Sequence, residues 1–343
     1  MENIYKNKII LVTGGAGSIG FEIVKQLLTY KPKTVRVLER SESALFRLDQ
    51  EIQSDKLRPL LGDIRDKNRV HRAMENVDIV FHAAAMKHVP LCEYNPTEAV
   101  GVNVIGTQNL VTSALERGVR RFIGISTDKA VNPTSTMGAT KLLSEKIISN
   151  AAISSGGRTR FGIVRFGNVL ASSGSVIPVF ERQIREGKPI TLTSKEMTRF
   201  FMSIPDAVSL VLKASRFARD GELFILKMKA MKIADLAEVL FEEFAPRYGR
   251  DPKTMRFKII GLRPGEKEHE PLITKEEAEY LTERGGMYVL ENPQRHVFTR
   301  RYISHKSPHI SKKKDVRESY RTDTVPLLNK DEIRAFLYEK KIL

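Results

Sequence analysis

Two spacings of apolar residues alternate along the first half of the chain. Short β-branched runs, bounded by glycine or polar residues, give way to stretches with an apolar residue every three or four positions. Lys8–Thr13 (KIILVT) reads as a buried strand. Phe21, Val24, Leu27 and Leu28 follow at helical spacing. Thr34–Leu38 is a second strand and Ser43–Ile52 a helix. Leu57–Leu61 then precedes a Gly62-Asp63 turn. Asp78–His82, Arg121–Ser126 and Gly162–Phe166 are further strands, separated by helical patterns at Asn103–Arg117 and Ala139–Ala152. This order predicts an α/β fold with a doubly wound parallel sheet and helices on both faces.

Beyond residue 168 the alternation loosens. Gly, Ser and Pro cluster at Ala171–Pro178, and helical stretches follow at Val179–Glu186, Pro205–Arg219 and Ala234–Phe244. Glu276–Glu283 reads as a short polar helix, and Gly285–Arg321 as loops or a partner-contacting arm. The expected division is a nucleotide-binding domain over 1–168, with about 197–222 returning to it. A smaller substrate lobe takes 169–196 and 223–295, and a basic C-terminal arm takes 296–343.

Length and composition narrow the class. A chain of 343 residues fits one large domain or two closely joined ones. With 41% apolar and 29% charged residues, a disordered chain, a fibrous repeat and a disulfide scaffold are excluded. The single cysteine, Cys92, points to a reducing compartment. No apolar run approaches the ~18–20 residues of a membrane span, and the N-terminus lacks a signal-peptide pattern, so the expected location is the cytoplasm. The formal charge of +16 favours an anionic partner. The last 49 residues hold 13 basic and 6 acidic side chains, a pattern that usually marks a solvated surface. Of the seven histidines only His305 and His309 have ligand-like spacing, without a third partner, so no metal is expected.

The first candidate chemistry is TGGAGSIG at Thr13–Gly20. Gly14, Gly17 and Gly20 stand three apart, directly after a strand and before a helix. Gly14 permits the tight turn, and Gly17 lets the backbone approach a pyrophosphate at the helix N-terminus beside Ser18 and Ile19. Gly20 lets helix and sheet pack closely. At the end of the second strand, Glu39 could bond ribose hydroxyls and favours NAD, whereas Arg40 could hold a 2′-phosphate and favours NADP. Both are present, so the choice stays open. Asp63, beside Ile64, stands where an acid could bond the adenine amino group. A turn-forming aspartate is the plainer reading.

TGGAGSIG, FHAAA (Phe81–Ala85, with Ala83 and Ala84 facing the cofactor), NVIGT (Asn103–Thr107) and ISTDKAVNP (Ile125–Pro133), with Lys141 opening the next helix, resemble the extended short-chain dehydrogenases/reductases. Most members carry Tyr-x-x-x-Lys, in which the tyrosine takes a hydroxyl proton and the lysine holds the nicotinamide ribose. This chain has Met137 in the tyrosine slot, and methionine cannot titrate. Further segments point within the family: Met86–Glu93, Ser126-Thr127-Asp128-Lys129, Met197–Phe200 and Arg263-Pro264-Gly265-Glu266-Lys267. They resemble nucleotide-sugar 4,6-dehydratases acting on UDP-N-acetylglucosamine, among which methionine in that slot is a known variant. The resemblance implies a tightly bound NAD or NADP that is recycled, a nucleotide-sugar substrate, a role in surface polysaccharide and glycan synthesis, and a homodimer or hexamer.

The chemistry such an enzyme performs assigns the residues. Oxidation at carbon 4 acidifies the proton on carbon 5. A base then removes that proton while an acid protonates the departing 6-hydroxyl. Asp128 and Lys129 are adjacent at the C-terminal end of a strand, where open α/β sheets bind ligands. Lys129 is read as the base, its pKa lowered by burial, and Asp128 as the acid. Thr127 or Asp128 relays the 4-hydroxyl proton. Met137 is read as a gap-filling apolar residue, and Lys141 keeps its ribose role. Arg199 and Arg263 are candidates for the diphosphate and Glu266 for the uridine ribose. Asn168, Lys87 and Val176 are expected around the sugar or uracil. Two rivals remain. One is a nucleotide-sugar 4-epimerase. The other is a non-catalytic NAD(P)-sensing or RNA-binding module, disfavoured because aromatic residues are only 7% and no basic–aromatic stacking motif occurs. No nucleic-acid partner is expected.

Overall fold

The computed structural model describes residues 3–172, 174–292 and 320–343. The strand-like runs of the first half become β1 (Ile9–Thr13), β2 (Thr34–Glu39), β3 (Leu57–Leu61), β4 (Ile79–His82), β5 (Arg121–Thr127) and β6 (Arg160–Phe166). They pair in parallel in the order β3-β2-β1-β4-β5-β6. The order reverses between β1 and β4, which opens a crevice at the carboxyl ends of the strands. Ile10, Leu11 and Val12 of β1 are buried, as expected of a strand covered by helices on both faces.

The sheet extends further than the sequence reading allowed. Asp220–Leu226 adds in parallel beside β6, and Met287–Leu290 then pairs antiparallel with it. Leu281–Arg284 closes that edge, giving nine strands. The helix expected over Glu276–Glu283 is therefore a single turn at Lys275–Ala278 followed by a hairpin. Gly285 and Gly286 both adopt positive φ at its tip, a turn that two glycines accept readily. The loop expected from Gly285 to Arg321 likewise contains the strands Met287–Leu290 and Tyr320–Arg321. His305 and His309 lie outside the described residues.

The return of the chain to the large sheet is also shifted. Thr198–Met202 belongs to a separate sheet with Asn168–Val169 and Lys229–Lys232. The helix Ile204–Phe217 and the strand Asp220–Leu226 are the parts that rejoin the large layer. A second apolar core joins the helices Val176–Arg185 and Ile233–Phe244 to the C-terminal helix Lys330–Glu339. Ile333, Phe336 and Leu337 of that last helix are buried there, so the end of the expected basic arm is a packed part of the smaller lobe. A capping box at Asn329 and Glu332 starts the helix. No helix among the described residues is long and apolar enough to cross a membrane.

Candidate active site

At the crevice, the turn after β1 is fitted for a phosphate. Gly14 has φ +66°, and a Cβ there would stand 2.6 Å from Ala84 Cα. A Cβ on Gly20 would meet the Gly14 carbonyl at 2.2 Å. Gly17 is the N-cap of the helix Ser18–Thr29 and offers no side chain to its first amides, which leaves that positive end open. Ala83 and Ala84 hang from Thr13, the Ala83 amide donating to its carbonyl and the Ala84 amide to its Oγ1. These residues fit a dinucleotide. Glu39 stands at the end of β2 with one carboxylate oxygen accepting from the amides of Arg40 and Ser41. Asp63 pairs with Arg65 at 2.7 Å, and this hydrogen bond holds its carboxyl below the usual range. Ile64 beside it is buried.

Behind the turn runs a buried polar chain. His82 contacts Thr13 Oγ1 through Nδ1 at 2.8 Å and Thr107 Oγ1 through Nε2 at 3.0 Å. Asn103 bonds the Met86 backbone in both directions and donates to Thr140. Burial, with the Lys141 charge as a lesser cause, drives His82 down to about 3. His82 is therefore neutral when folded and titrates normally when unfolded, so the unfolded state binds more protons between about pH 6.5 and 3. Its contribution to stability is expected to fall as pH drops through that window, by about 1.4 kcal/mol per pH unit. Urea titrations between pH 7 and 4 should show a weaker pH dependence in His82→Gln than in the parent.

Thr127 ends β5, and Asp128–Ala130 form one 3₁₀ turn. Asp128 is fully buried. Its Oδ1 accepts from Thr127 Oγ1 at 2.8 Å and from Lys129 Nζ at 3.0 Å, whereas its buried Oδ2 has no hydrogen-bond partner among the described residues. Gly167 forms the wall beside that oxygen, since a Cβ there would stand 3.1 Å from it. A second carboxylate, Glu270, lies 3.6 Å from Lys129 Nζ on the other side. Burial pulls the Lys129 ammonium down, but Asp128 and Glu270 more than reverse this, and its pKa lies above the ordinary lysine value. That corrects the expectation that burial or a neighbouring cation would lower it. Glu270 escaped the sequence reading because nothing local connects it with a residue 141 positions earlier; only the folded contact does.

On the helix Thr136–Ser154, Met137 and Lys141 lie one turn apart. Met137 is buried with Cys92 and Ala99, in keeping with a packing role. Lys141 Nζ donates to the Ile125 carbonyl at 2.6 Å, and burial, only partly opposed by Glu145, lowers it to about 8.

The structure gathers only part of the expected substrate set around this pair. Arg199 is buried, and its guanidinium donates to the carbonyls of Thr198, Lys267 and Glu268. It therefore pins the segment after the RPGEK motif. Glu266 lies 3.8 Å from it and accepts from the Arg263 amide. Arg263 itself is exposed. The segment rests against the stretch that follows the Asp128–Ala130 turn, with Lys267 Nζ on the Val131 carbonyl and Thr134 Oγ1 on the Gly265 carbonyl. Asn168 directly follows Gly167 and pairs with Phe201. Lys87 lies in the loop after β4, and desolvation lowers its pKa. Val176 begins its helix half-buried, two residues after Gly174, which approaches His88.

The parallel sheet, the glycine turn and the Asp-Lys pair at the end of β5 define an extended short-chain dehydrogenase/reductase fold. Residues 10–292 match the polysaccharide biosynthesis protein family, and the chain belongs to it. An uncharacterised membrane protein of Methanocaldococcus jannaschii is 58% identical over 84% of this chain and 87% of its own length. A UDP-N-acetylglucosamine 4,6-dehydratase (inverting) of Campylobacter jejuni is 42% identical over 84% of each chain. A UDP-glucose 4-epimerase of Rickettsia akari is 36% identical over 97% of this chain and 96% of that one. Among solved structures, Pen from Bacillus thuringiensis superposes with a TM-score of 0.87 and 41% identity, covering 98% of both chains. DesIV, a dTDP-glucose 4,6-dehydratase from Streptomyces venezuelae with NAD and TYD bound, gives 0.66 and 25%, covering 76% of this chain and 86% of that one.

Proposed function

We propose that the protein is a nucleotide-sugar 4,6-dehydratase acting on UDP-N-acetylglucosamine, with NAD or NADP retained and recycled. The observation that carries this reading is the Asp128–Lys129 pair at the end of β5, the carboxylate buried and the lysine part-exposed, with one carboxylate oxygen unpartnered among the described residues. The Campylobacter relative and the NAD in the DesIV structure support it. The glycine turn and Lys141 would hold the cofactor, whose nicotinamide would take a hydride from carbon 4 and return it to carbon 6.

Proton balance assigns the side chains. Thr127 already donates to Asp128, so the 4-hydroxyl proton passes through Thr127 to the Asp128 carboxylate. Lys129, as the neutral amine, takes the carbon 5 proton while Asp128 gives its new proton to the departing 6-hydroxyl. The C5–H electron pair becomes the C5–C6 double bond, and water leaves. Lys129 then returns a proton to carbon 5. Each side chain ends the cycle as it began, and the net change is loss of one water. Desolvation by a bound sugar drives Lys129 toward the amine. A proton returned by Lys129 to the face it left gives retention at carbon 5, and inversion, as named for the Campylobacter relative, requires a proton delivered from the opposite face.

A 4-epimerase is the second reading, favoured by the match to the Rickettsia enzyme over nearly the whole chain. Epimerisation needs no acid at the 6-hydroxyl, which would leave the buried Asp128 oxygen without a purpose. Incubation with UDP-N-acetylglucosamine and mass spectrometry separates the two. A product lighter by one water is expected, and unchanged mass with inversion at carbon 4 would establish the epimerase.

A further inference from the structure

We infer that Glu270 is a positioning residue of the elimination site: it holds the Lys129 side chain against Asp128 and sets the pH at which that amine gives up its proton. The inference rests on the dehydratase reading and adds a second carboxylate to the pair.

Glu270 is 2% exposed. A carboxylate so buried is costly unless something cationic meets it. Its Oε1 faces Lys129 Nζ at 3.6 Å, and its Oε2 is buried without a hydrogen-bond partner among the described residues. The backbone around it is fixed from both directions. The Glu270 amide donates to Thr322 Oγ1 at 3.0 Å, and the Thr322 amide donates back to the Glu270 carbonyl at 3.1 Å. Pro271–Ile273 then continues into a strand paired with Tyr320–Arg321. A carboxylate this buried, on a backbone fixed from both sides, is not a flexible surface charge. The charged groups facing it are Lys129, Asp128, Arg199 and Lys267. The two cations other than Lys129 are engaged with backbone carbonyls, so Lys129 is the partner whose proton can move.

The chemistry gives this arrangement a purpose. After elimination Asp128 has lost its proton to the departing oxygen and Lys129 has gained one from carbon 5. An ammonium between two carboxylates is the arrangement that the structure displays. Glu270 therefore stabilises the product side of the proton transfer, where positive charge appears on Nζ. The same attraction keeps Lys129 protonated to higher pH in the resting protein. Glu270 thus raises the pH needed for activity and strengthens the base once that pH is reached.

Two measurements on the full chain test this. The first follows Lys129 in protein carrying [ε-13C]lysine, its resonance assigned by its loss in Lys129→Met. In Glu270→Gln the Lys129 titration midpoint should fall by at least about one pH unit, and Glu270→Asp should restore most of the shift. The second is the pH profile of turnover with UDP-N-acetylglucosamine, in which the acid limb should move to lower pH in Glu270→Gln while kcat at the plateau falls. A midpoint unchanged to within a few tenths of a unit, or a loss of kcat with the acid limb in place, would make Glu270 merely structural. If the parent protein forms no dehydrated sugar, the dehydratase reading fails on that arm, while the resonance still decides whether Glu270 controls Lys129.

Discussion

Lys129→Met is expected to lower dehydration by about 10²–10⁴-fold while NAD binding at the Gly14–Gly20 turn stays intact. Methionine keeps an unbranched apolar stem close to that of lysine but can neither accept nor return a proton. The cofactor turn depends on backbone amides and glycine geometry at the end of β1, with no contribution from this side chain. Rate measurements beside calorimetric titration with NAD separate the two effects. Turnover close to that of the parent would remove Lys129 from the mechanism. The variant also leaves Asp128 and Glu270 facing each other across an uncharged side chain, so a moderate fall in stability should accompany the loss of rate.

The largest expected loss of stability lies one layer deeper. Arg165 on β6 is 1% exposed and forms two-pronged ion pairs with Glu145 and Glu277, plus a hydrogen bond to the Leu272 carbonyl. Glu145 also accepts from Ser126 at 2.6 Å. This one guanidinium ties β5, the helix that carries Lys141, and the segment that leads away from Glu270. Arg165→Met would leave two carboxylates without their counter-charge, Glu145 buried and Glu277 partly so, and is expected to cost about 3–5 kcal/mol. Urea denaturation provides the measurement. A loss below about 1 kcal/mol would mean that water or rearranged partners replace the guanidinium.

Which parts were legible in the sequence follows from the range of the forces involved. Strands β1, β2, β4, β5 and β6 announced themselves because burial demands apolar runs such as Ile9–Thr13, whereas the edge strand β3 is mostly exposed. The glycine turn was legible because each glycine answers a local steric demand, seen most plainly in the contact between Gly20 and the Gly14 carbonyl. The hairpin Leu281–Leu290 was missed. Its first strand carries Thr282, Glu283 and Arg284, so the charges hid a short edge strand that a Gly-Gly tip could have revealed. The C-terminal helix was hidden by the basic composition around it, although Ile333, Phe336 and Leu337 follow helical spacing. At the site, Asp128 and Lys129 could be found because they are neighbours in the chain. Arg199 was assigned to a diphosphate because sequence shows a guanidinium but not the three carbonyls that occupy it. Glu270 and Thr322 reach the site only through the fold.

The proposal reduces to a single claim, that Asp128 and Lys129 remove water from a sugar oxidised at carbon 4. A proton NMR time course with UDP-N-acetylglucosamine in heavy water examines it most directly. The expected spectrum loses the carbon 6 methylene, gains a methyl signal and shows deuterium at carbon 5. Retention of the methylene, with inversion at carbon 4 or with no change at all, would contradict it.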